Sequence, residues 1–221
     1  MTARIARNAP SGERSFAAGA PMTASRRNLV AGFGAGFGAV LAALAMLLAG
    51  CGNAGHDSAP SDIGGPFQLT DQNDARVDEH ILQGKWTAVF FGYTFCPDVC
   101  PTTLTTLADA VGRLGPDARR FQVVFITVDP ERDTAAQLKT YLLSPAFPRG
   151  AIGLTGTAAQ IASVARAYRV YYKKAGADPG YSMDHTSIVY LMDPKGRFSR
   201  PLAMGAPPDI ARQIEDAMHG A

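Results

Sequence analysis

Two short, almost wholly apolar runs organise the middle of the chain. Thr87-Ala88-Val89-Phe90-Phe91-Gly92-Tyr93 and Phe121-Gln122-Val123-Val124-Phe125-Ile126-Thr127-Val128 each have the length of a strand and little polar alternation. That pattern predicts strands buried on both faces. Between them Leu104, Leu107, Ala108, Val111 and Leu114 recur at helical spacing, and Gly115-Pro116 stops the helix they predict. Thr134-Ala135-Ala136-Gln137 and Thr157-Ala158-Ala159-Gln160 read as capping boxes. Behind the first lie Leu138, Tyr141 and Leu142; behind the second lie Ile161, Val164, Ala165 and Tyr168. Ile152-Gly153-Leu154 predicts a short strand between these helices.

Arg169–Asp184 is polar, rich in Tyr and Gly, and has no clear period, so it predicts a loop. Ser187–Met192 predicts a strand, Asp193-Pro194-Lys195-Gly196 a turn, and Phe198–Leu202 the hairpin partner. Asp209–His219 predicts a last helix, with Ile210 and Ile214 inward. Upstream, Phe67–Thr70 and Arg76-Val77, around Asp71–Asp74, predict a small hairpin. The order is strand–helix–strand–helix–strand–helix–hairpin–helix. It predicts an α/β, thioredoxin-like fold: a central mixed sheet flanked by helices, with an N-terminal β-hairpin extension.

The first 50 residues follow different rules. Ser25-Arg26-Arg27-Asn28-Leu29 opens an uncharged stretch running from Leu29 to Gly50, a charged region followed by an apolar one. It ends in Leu48-Ala49-Gly50-Cys51, which resembles a bacterial lipobox. Residues 1–50 are therefore expected to be a signal peptide, with Arg26-Arg27 suggesting twin-arginine export. Cys51 is expected to carry the lipid, residues 51–65 to form a flexible tether, and residues 66–221 to form the folded domain. Met22 is an alternative start to Met1. The alternative to cleavage is a single N-terminal transmembrane helix, since the stretch is long enough to span a bilayer. Either reading puts the domain in a bacterial cell envelope, at the periplasmic face of the inner membrane.

This leader changes the charge picture. The whole chain has 221 residues and a formal charge of +2, but residues 1–51 hold five of its 21 basic and one of its 19 acidic residues. The remaining 16 basic and 18 acidic residues leave a balance near −2, without a basic stripe, which argues against nucleic acid as a partner. Of three cysteines, Cys51 belongs to the leader, so the domain keeps one pair, Cys96 and Cys100. One pair is too few for a disulfide framework and suggests chemistry instead.

That pair lies in Cys96-Pro97-Asp98-Val99-Cys100-Pro101, directly after the first buried strand. Pro101 suits a first helical position with Cys100 as N-cap, where the helix dipole would favour a thiolate. Thiol–disulfide pairs of the thioredoxin type are spaced by two residues, and here three intervene. With His185, in Asp184-His185-Thr186-Ser187, the pair makes a two-sulfur, one-nitrogen set that suits Cu(I). Structural zinc wants a fourth ligand, and no third thiol exists in the domain. Metal binding and redox exchange both remain open on these residues.

Three segments together resemble the Sco/SenC family. They are Phe91-Gly92-Tyr93-Thr94-Phe95-Cys96-Pro97-Asp98-Val99-Cys100-Pro101, Val128-Asp129-Pro130-Glu131-Arg132-Asp133-Thr134, and Asp184-His185-Thr186-Ser187-Ile188-Val189-Tyr190-Leu191-Met192-Asp193. The resemblance implies a thioredoxin-like domain binding one copper ion, Cu(I) or Cu(II), through Cys96, Cys100 and His185. It implies a copper chaperone in assembly of the dinuclear copper centre of cytochrome c oxidase. The partners would be the copper-bearing oxidase subunit or another copper chaperone. The alternative is a thiol–disulfide oxidoreductase, with Cys96 and Cys100 as the redox pair reducing the recipient's cysteines.

Three acids are candidates for support around the ligands. Asp184 is placed to accept from the ring nitrogen of His185 that does not bind metal. Asp98 sits between the cysteines, and Asp129 follows the second buried strand at the same sheet edge. His80 and His219 have no partner evident in sequence and are expected at the surface.

Overall fold

The computed structural model describes residues 63–178 and 180–220. The expected signal peptide, the lipobox Cys51, most of the tether and the two candidate starts, Met1 and Met22, lie outside the described residues. In chain order the elements are β1 (Gln68–Asp71), β2 (Arg76–Asp78), β3 (Trp86–Gly92), α1 (Val99–Arg113), β4 (Phe121–Thr127), α2 (Ala135–Leu142), β5 (Ile152–Thr155) and α3 (Ala158–Ala167). They continue with β6 (Tyr172–Ala175), β7 (Ser182–His185), β8 (Val189–Met192), β9 (Phe198–Leu202) and α4 (Pro207–His219).

The two apolar runs become the middle of a seven-stranded mixed sheet, ordered β2-β1-β5-β4-β3-β8-β9. β3 and β4 pair in parallel from Trp86↔Phe121 to Gly92↔Thr127. β5 continues the parallel set, whereas β8 joins β3 antiparallel and β9 closes that edge. The N-terminal hairpin extends the other edge, with β1 antiparallel to β5. Helices flank the sheet, as expected from the alternation of runs. Every residue of β3 beyond Trp86 is buried, because both faces are covered. Phe90, Phe91, Phe125, Leu104, Leu107, Leu138, Leu154, Ile161 and Tyr168 are fully buried, and each large side chain contributes about 1.5–3 kcal/mol by leaving water.

Local expectations differ from the structure at four places. Arg169–Asp184 is not a loop: it contains β6 and β7, a separate antiparallel ribbon registered from Tyr172↔His185 to Ala175↔Ser182. Its alternation is two residues deep, with Tyr181 and Met183 buried between exposed Ser182 and Asp184, too short to stand out beside the glycines. β8 begins at Val189 rather than Ser187, because the Thr186 amide is turned to the Tyr171 carbonyl at 2.9 Å. Thr157 and Gln160 form the full reciprocal capping box. Thr134 accepts from the Gln137 amide at 3.2 Å, but the Gln137 side chain donates to Thr94 Oγ1 instead. The fourth difference is the start of α1, where Asp98, not Cys100, is the N-cap and Pro101 is the third helical residue. Proline is still tolerated there, since the N–H groups of the first three helical positions have no intrahelical acceptor.

Candidate metal centre

β3 delivers the chain to the site. After Gly92 the backbone turns through Tyr93, Thr94 and Phe95, closed by the Cys96 amide donating to the Tyr93 carbonyl at 3.3 Å. Cys96 is half-buried and Cys100, in the first turn of α1, is fully buried; both are free thiols. Gly92 makes the space for Cys100. A Cβ there would lie 2.7 Å from the Phe125 ring and 2.8 Å from Cys100 Sγ. The Cys100 amide donates to Cys96 Sγ at 3.4 Å, so the helix start does turn an N–H toward a sulfur, but toward that of Cys96.

His185 arrives from the far end of the molecule's sequence, at the last position of β7. Its Nδ1 lies 3.0 Å from the Thr186 carbonyl, which can only accept, so Nδ1 carries the proton. Nε2 is left with its lone pair, 3.8 Å from Cys100 Sγ. The ring stands edge-on to Tyr93, with centroids 5.8 Å apart, and Phe90 lies near it at 6.4 Å. Sulfur and imidazole thus meet in an aromatic-walled notch at the end of β3.

The electrostatics of this notch correct one expectation. Burial pushes the Cys100 thiol well above its ordinary range, and the neighbouring Cys96 and Asp133 add to that, so the helix dipole does not prevail. A cation bound there would displace the thiol proton. Among the described residues, the His/Cys/Asp/Glu set whose ligand atoms all lie within 4.8 Å of one another is Asp78, Glu79 and His80. Those groups have local duties: Asp78 caps a short 3-10 turn and Glu79 accepts from the Phe67 amide at 3.1 Å. The Cys96, Cys100 and His185 donors are spread more widely, with the Cys100–His185 pair already facing.

The three supporting acids divide. Asp184 is exposed and registered opposite Lys173 on β6, and the Thr186 carbonyl takes the part expected of it at His185. Asp98 is exposed at the N-cap, where it accepts from the Thr102 hydroxyl at 3.3 Å. Asp129 is buried and does link site segments. It accepts from the Tyr181 hydroxyl at 2.8 Å, just ahead of β7, and from Arg132 Nε at 2.5 Å. His80 and His219 are exposed as expected, yet each has an acidic partner, Asp78 at 3.1 Å and Asp117 at 2.8 Å.

Asp133 was not singled out by the sequence, and it ties the cysteine turn down. Fully buried, it accepts from the Thr94 amide at 2.9 Å, the Thr94 hydroxyl at 2.6 Å and the Thr127 hydroxyl at 2.7 Å. Burial pushes its carboxyl up, and these hydrogen bonds hold it partly back. Its signal was available: Asp129 and Asp133 sit four apart just past a buried strand, where acids have no place without partners. Gly92, Arg132, Tyr181 and Thr186 were likewise missed, since each acts through a contact distant in sequence or through its backbone.

A mixed-sheet, thioredoxin-like domain with two cysteines at the end of its first central strand, faced by a histidine from a separate ribbon, is a dithiol–imidazole protein suited to a soft metal. The SCO1/SenC family profile matches residues 55–219, and the chain belongs to that family. Protein SCO1 homolog 1, mitochondrial, of Arabidopsis thaliana is 45% identical over 146 residues, 65% of this chain and 43% of that protein. A SCO2-like protein of Rickettsia felis is 38% identical over 151 residues, 66% of this chain and 72% of its own length. The chain thus spans less than half of the plant relative. The copper-bound structure of ScoI from Bradyrhizobium japonicum superposes with TM-score 0.65 at 48% identity, over 70% of this chain and 99% of that one. BsSco, a member of the Sco family of cytochrome c oxidase assembly proteins, shares the fold at 22% identity and TM-score 0.57, over 72% of this chain and 95% of that one.

Proposed function

We propose that this protein binds one copper ion through Cys96, Cys100 and His185 and hands it on during assembly of the dinuclear copper centre of cytochrome c oxidase. The observation that carries this reading is the Cys100–His185 pair. Sγ and Nε2 stand 3.8 Å apart, with the imidazole Nδ1–H donated to the Thr186 carbonyl. Two sulfurs and one nitrogen suit Cu(I), which accepts low coordination numbers and soft ligands. Binding releases the thiol protons and draws Cys96 toward the facing pair. The copper-bound relative from Bradyrhizobium supports the cargo, and the Sco family's association with oxidase assembly supports the destination. The recipient is the copper-bearing oxidase subunit or another chaperone.

Copper loading of the reduced protein, followed by X-ray absorption, tests the site. Two sulfur neighbours and at least one nitrogen are expected, and His185→Ala should remove the nitrogen. A loaded wild type without a nitrogen neighbour would exclude His185. In this reading Cys51 is acylated and holds the domain at the periplasmic face of the membrane. Palmitate label on wild type but not on Cys51→Ala is the expected result, and an unlabelled wild type excludes the lipid anchor.

A second reading is favoured by the unequal burial of the two thiols. Cys96 is the accessible sulfur, and its thiolate would be steadied by the Cys100 amide. It attacks a recipient disulfide to give a mixed disulfide. Cys100 then resolves it, so two electrons pass to the recipient and the Cys96–Cys100 disulfide remains. Reduction of the recipient's thiols and donation of copper are compatible as successive steps.

A further inference from the structure

Arg132 occupies a place that none of the preceding roles uses. It lies on the turn after β4, yet it reaches both the turn that carries Cys96 and the entry to the strand that carries His185. Nε pairs with Asp129 at 2.5 Å, and Nη1 donates to the Tyr181 carbonyl, at the entry to β7, at 2.9 Å. The guanidinium lies 3.6 Å from the Tyr181 ring centroid, 4.8 Å from that of Phe95 and 5.8 Å from that of Tyr93. Phe95 adjoins Cys96, and Tyr93 walls the His185 ring. Tyr181 returns the connection by donating its hydroxyl to Asp129.

We infer that Arg132 is a positioning residue: it clamps the ribbon carrying His185 to the turn carrying Cys96, and so sets how far the imidazole stands from the sulfurs. Two physical points support this. The ribbon β6–β7 pairs with no strand of the main sheet, so its placement depends on such side-chain links. And the arrangement is costly for mere packing: the side chain is 15% exposed and its Nη2 is buried without a hydrogen-bond partner among the described residues. A planar cation is suited to the task, since it stacks on rings through its faces while bonding at its edge.

This inference rests on the copper reading and is tested on the full chain with Cu(I) held by a competing chromophoric chelator, alongside nitrogen counting by X-ray absorption. Arg132→Ala should weaken copper by about 10- to 100-fold, the range for residues that orient a ligand from outside the coordination sphere. It should also lower the nitrogen count. Arg132→Lys keeps the charge beside Asp129 and should restore thermal stability without restoring affinity, because a lysine cannot bond Asp129 and the Tyr181 carbonyl while stacking. Phe95→Ala, at an exposed ring, should weaken copper by about two- to fivefold with stability unchanged, the worth of one exposed cation–π contact. Wild-type affinity and nitrogen count in a folded Arg132→Ala overturn the clamp, as does Arg132→Lys restoring affinity together with stability. Should Arg132→Ala not fold, wild-type affinity in both Arg132→Lys and Phe95→Ala overturns it. If wild type takes up no copper, the copper reading fails. Amide exchange across β6–β7 then decides the clamp: faster in Arg132→Lys upholds it, unchanged overturns it.

Discussion

The cysteines and the histidine reach one notch from regions built on different physics. Cys96 and Cys100 hang from β3, whose neighbours on both sides are hydrogen-bonded strands and whose side chains are buried on both faces. His185 hangs from a two-stranded ribbon that buries little beyond Tyr181 and Met183 and is joined to the rest by Asp129, Arg132, the Tyr181 hydroxyl and the Lys174–Glu131 ion pair. The sulfur side is a packed core that ends in a reactive group. The nitrogen side is a polar latch. Such a division would suit the proposed copper cargo: the sulfurs are placed by the core, while the imidazole sits on an element with fewer buried contacts.

Substitutions sharpen this contrast. The largest expected effect is on the packed side: Phe125→Ala, at a fully buried ring tilted against Phe90, should cost about 3–5 kcal/mol in denaturant unfolding. A loss equally large from Tyr181→Phe would erase the distinction between core and latch. Gly92→Ala comes next. The new methyl would press on Phe125 and Cys100 Sγ, costing about 1–3 kcal/mol and lowering copper uptake together. Unchanged copper uptake in a destabilised variant would separate the core from the site.

Asp133→Asn should cost about 1–2 kcal/mol, since the amide cannot accept from Thr94 and Thr127 as the carboxyl does. Its pH dependence has a definite sign. Burial raises the folded carboxyl above its unfolded value, so the stability it contributes is full below the unfolded value and is lost as pH rises through the raised one. The stability gap between wild type and Asp133→Asn should therefore be wider near pH 4 than near pH 7, read from urea midpoints; a gap that widens with rising pH contradicts the burial argument. The smallest effect is expected at exposed Asp184. Asp184→Asn should change stability by less than about 0.5 kcal/mol and leave copper affinity alone, because Thr186 holds the imidazole. A clear loss of copper would return Asp184 to the site.

Legibility followed the same division. β3, α1, β4 and the terminal hairpin stand out because burial on two faces, or on one helical stripe, leaves its period in the residues. Cys96, Cys100 and His185 stand out because thiols and imidazoles have few uses and came in recognisable segments. The ribbon β6–β7 did not, since an element held by an arginine clamp needs no apolar period. Asp184 was overread and Asp133 underread for one reason. An acid's role depends on what faces it, and the nearest residues in sequence, His185 and Thr134, are not what face them.

What the amino-acid sequence determined by itself is the order of buried runs, and hence the mixed α/β sheet, together with the chemical identity of the candidate donors. Both follow from local period and side-chain chemistry. Only the tertiary structure decided that His185 Nε2 would face Cys100, that burial would push the Cys100 thiol up, and that Asp133 and Arg132 would fasten the site. Those outcomes depend on desolvation and on contacts between residues far apart in sequence, which no local pattern records.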